Sequence, residues 1–150
     1  MSFKHQEIKI LPYPREFLYN LVANVEGYPS FIPWISSIEV LNSSTDSNNN
    51  PVIDYQITVD FKVITETFST RDVFSKPTSI DITLLKGPFK YLKNIWQFEE
   101  VDATTTKIIF DIEFEFKSRL FTAVFGKVFI QAQKRILSAF ANQASKAFRG

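Results

Sequence analysis

The sequence predicts an α+β domain of helix-grip architecture: a curved antiparallel sheet of about seven strands around one long C-terminal helix, with two short helices after the first strand. Two observations carry that prediction. Short runs of alternating apolar and polar residues recur from Phe3 to Phe116, the pattern of antiparallel strands with one wet face. A helical period then holds over residues 120–148, so only one long helix is available to cover the inner face of the sheet. The length, 150 residues, fits a single domain over 1–150, large enough to bury a core without staples.

Residues 3–11 (FKHQEIKIL) read as the first strand, stopped by Pro12 and Pro14. Pro14 suits the first turn of a helix, where its missing N–H costs nothing. Phe17, Leu18, Leu21, Val22 and Val25 follow at helical spacing, and Gly27 is placed as the residue just past that helix. A second short helix is expected over 29–34. Residues 36–41 form a strand, and NSSTDSNNN at 42–50 a polar loop. Tyr55, Ile57, Val59, Phe61 and Val63 alternate in the next strand, followed by strands at 64–75 and 80–84. Lys86-Gly87-Pro88 makes a turn before the last two strands, 91–100 and 107–116. In the last of these, Ile108, Phe110, Ile112, Phe114 and Phe116 share one face.

A twisted sheet gripping one helix leaves a space between them, and that space is the expected ligand site. Its walls are expected from Phe31 and Trp34; from Tyr55, Ile57, Val59 and Phe61; from Phe68, Leu84, Phe89 and Trp96; and from Phe110, Ile112 and Phe114. The helix is expected to add Phe121, Phe125, Val128, Phe129 and Ala132, on an apolar face that also carries Val124 and Ile136. The opposite side of that helix gathers Lys127, Lys134, Arg135, Lys146 and Arg149 within an arc of about 120°. All 16 acidic residues precede Phe116, so the C-terminal segment is purely basic although the net charge is only +1. An acidic partner surface is expected there.

Catalytic groups are scarce. The chain has no cysteine and one histidine, which excludes disulfides and thiolate metal sites and leaves His5 without a second imidazole. No metal site is expected: Asp111, Glu113 and Glu115 align on one strand face, but it is the solvated face. Arg71 and Asp72 point to opposite sides of their strand. Ordinary surface charges are the favoured reading; the alternative turns Asp72, with Glu66 of the same parity, into the cavity, where its pKa would rise. No glycine-rich phosphate loop is present. Gly126, within the long helix, allows close approach to the sheet or a bend. Phe89, after Gly87-Pro88, is either a lid or a capping residue. No stretch approaches ~18 apolar residues. The start, MSFKHQEIKI, has neither a secretory apolar run nor an Arg- and Ser-rich presequence. A cytoplasmic protein is therefore expected, with peripheral attachment at the inner membrane through the basic face.

Leu21-Val22-Ala23-Asn24-Val25-Glu26 and Tyr28-Pro29-Ser30-Phe31-Ile32-Pro33-Trp34 together resemble the LVADVExYPxFLPW signature of the coenzyme Q-binding START-like family. This family is also described as polyketide cyclase/dehydrase-like, and it includes the bacterial ribosome-association toxin. Gly87-Pro88-Phe89 with Leu92 and Trp96-Gln97-Phe98 is similar to a second block of the family. Phe114-Glu115-Phe116, Phe125-Gly126, Val128-Phe129 and Ala139-Phe140 are similar to its C-terminal block. Asn24 departs from the usual Asp, and Asn142-Gln143 from a more charged pair. The resemblance implies a START/Bet v 1-like fold, no catalytic cofactor, and a bound ubiquinone or other isoprenoid lipid carried in support of respiration. The missing presequence favours a bacterial member.

Three functions follow. The first is non-catalytic binding of a polyprenyl quinone. The second is a ribosome-associated regulator or toxin that binds a ribosomal subunit and inhibits subunit association through the basic face. The third is an aromatase/cyclase-type enzyme using Asp72, Glu66 or Arg71. DNA is not an expected partner.

Overall fold

The computed structural model describes residues 2–62 and 64–149. Val63, which the alternation assigns to a strand, lies outside the described residues. Seven strands form one antiparallel sheet: β1 (Phe3–Leu11), β2 (Ile35–Thr45), β3 (Pro51–Asp60), β4 (Thr65–Ser75), β5 (Ser79–Lys86), β6 (Phe89–Asp102) and β7 (Thr105–Phe116). Their order is β1-β7-β6-β5-β4-β3-β2. The six neighbours from β2 to β7 follow chain order, and β1 closes onto β7 with Phe3 opposite Phe114 and Leu11 opposite Thr106. Register shifts interrupt the β2–β3, β4–β5 and β6–β7 ladders. Such bulges add local bend and twist, and the sheet needs both to wrap a helix.

Between β1 and β2 run α1 (Arg15–Ala23) and a 3-10 helix (Val25–Ser30). Helix α1 stops at Ala23, earlier than the spacing predicts, because Asn24 leaves helical geometry at ψ 68°. Gly27 therefore sits inside the 3-10 turn, not at the end of α1, and the second helix starts at Val25 and ends at Ser30, covering only the first two of residues 29–34. Tyr19 anchors α1: its hydroxyl donates to the Ser79 carbonyl at 3.1 Å and its ring meets Phe98 edge-on at 5.2 Å. Thr106 donates to the Tyr13 carbonyl at 2.8 Å and ties the same segment to β7.

The polar loop expected at 42–50 begins only at Asp46, since 42–45 belong to a strand. β2 runs on to Thr45, leaving a tight turn in which Asp46 Oδ1 accepts from the Asn48 and Asn50 backbone N–H groups, each at 2.9 Å. Composition misleads here because an edge strand in water needs no apolar face.

The C-terminal segment is a helix in three parts: α2 (Arg119–Phe121), a π-helical turn (Thr122–Gly126) and α3 (Lys127–Ala147). The wider turn shifts the helical phase. Val124, expected on the apolar face, is 59% exposed, and Leu120 is 76% exposed. Phe125 and Gly126 become the buried pair. A Cβ on Gly126 would stand 3.4 Å from the Phe116 ring, an ordinary contact, so the helix passes near β7 there without requiring a glycine. Beyond Ala147 the chain is extended. Phe148 packs edge-on against Tyr13 and Phe17 at 5.2 and 4.9 Å, and Arg149 leaves the helical wheel that groups it with the other cations.

Phe89 is the first residue of β6 and 1% exposed, so it is core, not a lid. Gly87 before it has φ 156°, and a Cβ there would fall 2.6 Å from Phe68 Cβ. That backbone region is open to glycine almost alone. Gly87→Ala should lower the unfolding free energy by about 2 kcal/mol or more, read as a lower urea midpoint with unchanged slope; a midpoint within error of the parent would refute the strain.

Candidate ligand cavity

Phenylalanine fills one end of the space between sheet and helix. Phe89 stacks on Phe116 at 5.0 Å, Phe114 meets Phe129 edge-on at 4.9 Å, and Phe125 lies 5.6 Å from Phe129. Phe121 extends the cluster outward at 4.9 Å from Phe125. A second cluster forms where α3 passes the 3-10 helix: Trp96 touches Phe110 at 4.8 Å and Phe140 at 5.1 Å, while Tyr28 and Phe31 meet Phe140 at 5.1 and 5.2 Å. Members of both clusters wall an inner cavity of about 110 Å³.

The cavity is lined by Trp34, Ile57, Val59, Phe61, Phe68, Trp96, Phe110, Ile112 and Phe129 among the residues the sequence singles out. Phe31, Tyr55, Leu84, Phe89, Phe114, Phe121, Phe125, Val128 and Ala132 do not line it. The reason is packing. Most of these rings and side chains lie against one another, so they fill space where apolar periodicity alone suggests a wall. Ile136, placed on the apolar helix face, lines it too, and sequence reasoning passes over Tyr28, Ile38, Ile82, Leu92, Asn94, Gln133 and Phe140, which also do. Tyr28 and Phe140 could have been found in the family-like motifs that contain them. Nothing in the sequence marks Asn94 or Gln133 as inward.

The polar groups converge on the sheet side. Asp72 of β4 pairs with Ile82 of β5, Ile82 with Asn94 of β6, and Asn94 with Ile112 of β7. These four residues thus form one row across the cavity floor. Asp72 is 2% exposed, which overturns the reading of it as a surface charge. Its Oδ1 accepts from the Thr70 hydroxyl at 2.8 Å. Asn94 accepts from the Trp96 indole N–H at 3.2 Å and donates to the Asp111 carbonyl at 2.8 Å. The Tyr28 hydroxyl donates to the Val22 carbonyl, and burial pushes its pKa well above the usual value. Burial also pushes the Asp72 carboxyl up to about 7, against the Thr70 bond and with help from the charge of Asp54. Glu66 is partly exposed and does not reach the cavity. Arg71 points the other way and grips Asp54 with two bonds of 2.9 and 3.0 Å, which holds the Asp54 carboxyl below the ordinary range.

The remaining candidates lie outside the cavity. His5 faces Glu7 at 3.5 Å on β1. Asp111 accepts from Gln6 at 2.8 Å, Glu113 from Tyr91 at 2.8 Å, and Glu115 pairs with Lys90 at 2.8 Å. Among the described residues no group of three or more His, Cys, Asp or Glu could hold a metal ion. Lys127, Lys134, Arg135, Lys146 and Arg149 are all exposed. Arg135 and Lys146 also flank a shallow groove with Phe31, Pro33, Trp34 and Asn142. Among the described residues no helix is long and apolar enough to cross a membrane.

A curved sheet gripping one helix over an apolar cavity is the architecture of small-molecule-binding helix-grip domains. The chain belongs to the family described as polyketide cyclase / dehydrase and lipid transport, whose model matches residues 11–141. It is 33% identical over 148 residues to the ribosome association toxin RatA of Pseudomonas aeruginosa, with 99% of each chain covered. It is 27% identical over 139 residues to the mitochondrial coenzyme Q-binding protein coq10 of Schizosaccharomyces pombe, covering 91% of this chain and 83% of that one. The Zhui aromatase/cyclase from Streptomyces sp. R1128 superposes with a TM-score of 0.84 at 15% identity, over 100% of this chain and 98% of that one. This last likeness is one of fold.

Folded Asp72 keeps its proton to about pH 7, whereas an unfolded aspartate releases it near 3.8. The native state therefore binds more protons between those values, and stability falls as pH rises through that window. Asp72→Asn, which preserves shape and the Thr70 bond, should be the more stable protein at pH 8, by on the order of 4 kcal/mol. The gap should close toward pH 4. Urea unfolding at both pH values checks this; a gap independent of pH would refute the burial of an ionising group.

Proposed function

We propose that the protein binds an isoprenoid lipid of the polyprenyl quinone kind in the cavity between sheet and α3 and carries it without chemical change. The observation behind this reading is the composition of the cavity wall. It is apolar except for a few groups on its floor, which suits a greasy molecule with one polar end. Among the described residues Asp72 is the one carboxylate lining it, and no His, Lys or Arg does, so few groups are at hand for acid–base chemistry. The relative named for coenzyme Q binding supports the same cargo. At about 110 Å³ the cavity is below the roughly 300–1,000 Å³ of ordinary ligand pockets. A long chain needs further room, which a shift of α3, bearing Phe129, Gln133 and Ile136 of the wall, would provide. Native mass spectrometry of freshly purified protein should show a bound quinone or lipid at one per chain; a uniformly empty protein would sink the proposal.

A second reading is contact with a ribosomal subunit. It rests on the full-length similarity to a protein named for ribosome association and on the exposed cations Lys127, Lys134, Arg135 and Lys146 of α3. Phosphate contacts of this kind weaken steeply with salt. The protein should then co-sediment with ribosomal subunits at low salt, and the double substitution Lys134→Glu, Arg135→Glu should abolish it. Absence of co-sedimentation at low salt would dismiss this reading.

A further inference from the structure

The polar floor of the cavity is asymmetric in its hydrogen bonding. Its donors are largely engaged within the protein: the Thr70 hydroxyl on Asp72, the Trp96 indole on Asn94, the Tyr28 hydroxyl on Val22, and one Asn94 amide hydrogen on the Asp111 carbonyl. The Asn94 oxygen is engaged as well. Asp72 is different. Only its Oδ1 receives a hydrogen bond among the described residues, although the residue is 2% exposed and lines the cavity. A carboxylate oxygen in an apolar enclosure has strong acceptor capacity, and leaving it unmet is costly. Two other groups remain, and neither discriminates. The second Asn94 amide hydrogen serves a hydroxyl or a carbonyl equally. The Gln133 amide, reaching in from α3, offers both donors and an acceptor.

We propose that Oδ2 of the ionised Asp72 accepts a hydrogen bond from a hydroxyl on the polar end of the cargo, so that the cavity with Asp72 ionised prefers a phenol or hydroquinone head over the corresponding ether or carbonyl form. This rests on the lipid-binding reading and sharpens it to one chemical form of the ligand. The size comes near a single ring: an engineered cavity of about 150 Å³ takes benzene, and this one, at about 110 Å³, needs a modest movement of α3 to match it. The charges around Asp72 leave it available. Asp54 on β3 is tied to Arg71 on the outer face. Tyr55 on β3 and Tyr28 on the 3-10 helix, whose pKa values are raised by burial, stay neutral.

The test uses two probes that differ in one donor, 4-nonylphenol and 4-nonylanisole. Trp34 and Trp96 both line the cavity, so their fluorescence reports occupancy. At pH 8 the wild-type chain should bind the phenol at least about tenfold more tightly, the usual worth of a hydrogen bond to a charged group. Asp72→Asn, with an amide N–H in place of Oδ2, should bind the two within about twofold. Equal binding by the wild type, or an unchanged preference in the variant, overturns the inference and leaves lipid binding standing. If neither probe binds the wild type, the lipid-binding reading falls and takes the inference with it. Urea midpoints of both proteins confirm that the comparison is between folded chains.

Discussion

One geometric mismatch organises this molecule. A seven-stranded sheet has a wider inner face than one helix can cover. The chain meets that mismatch with ring size. Phe89, Phe114, Phe116, Phe125 and Phe129 fill the space near the start of α3, and Trp96, Phe110 and Phe140 fill it further along. What lies between is left open. The cavity is thus the remainder of the fold's own packing, and its walls are the surfaces of two aromatic clusters.

The helix had to change phase to make that packing work. Gly126 lies near Phe116, and the π-turn at Thr122–Gly126 takes up the extra residue. Phe125 and Phe129 both reach the core as a result, and Val124 is turned out. The same phase sets which cations face water on α3. Core packing and the basic surface are therefore two outcomes of one helical register.

The strands of the sheet and the existence of one long covering helix were legible because they rest on periodicity. The Ile108–Phe116 alternation appears in β7 without change, residue by residue. Strand ends were not legible where water covers both faces, as in β2. The site was half legible. Parity puts Ile57, Val59, Phe110 and Ile112 on the inner face, but it cannot separate a ring that lines a void from one that fills it. Phe114 and Phe110 have equal claims by pattern, and only their neighbours distinguish them. Asp72 was legible as an inward alternative and nothing more, since parity says which side a carboxylate takes but not how deeply it is covered. Asn94 gave no signal, because its partners are the Trp96 indole two residues on and a carbonyl on the next strand.

The cavity has a consequence for the life of the protein as well as for its cargo. An unfilled space and a carboxylate kept out of water both weigh against the folded state. Anything that fills the one and satisfies the other adds RT ln(1 + [L]/Kd) to stability. Filled and empty chains therefore differ in how often they open, and so in how readily proteases reach them. Under the proposed lipid binding, the abundance of this protein in a cell would follow how much of that lipid is present.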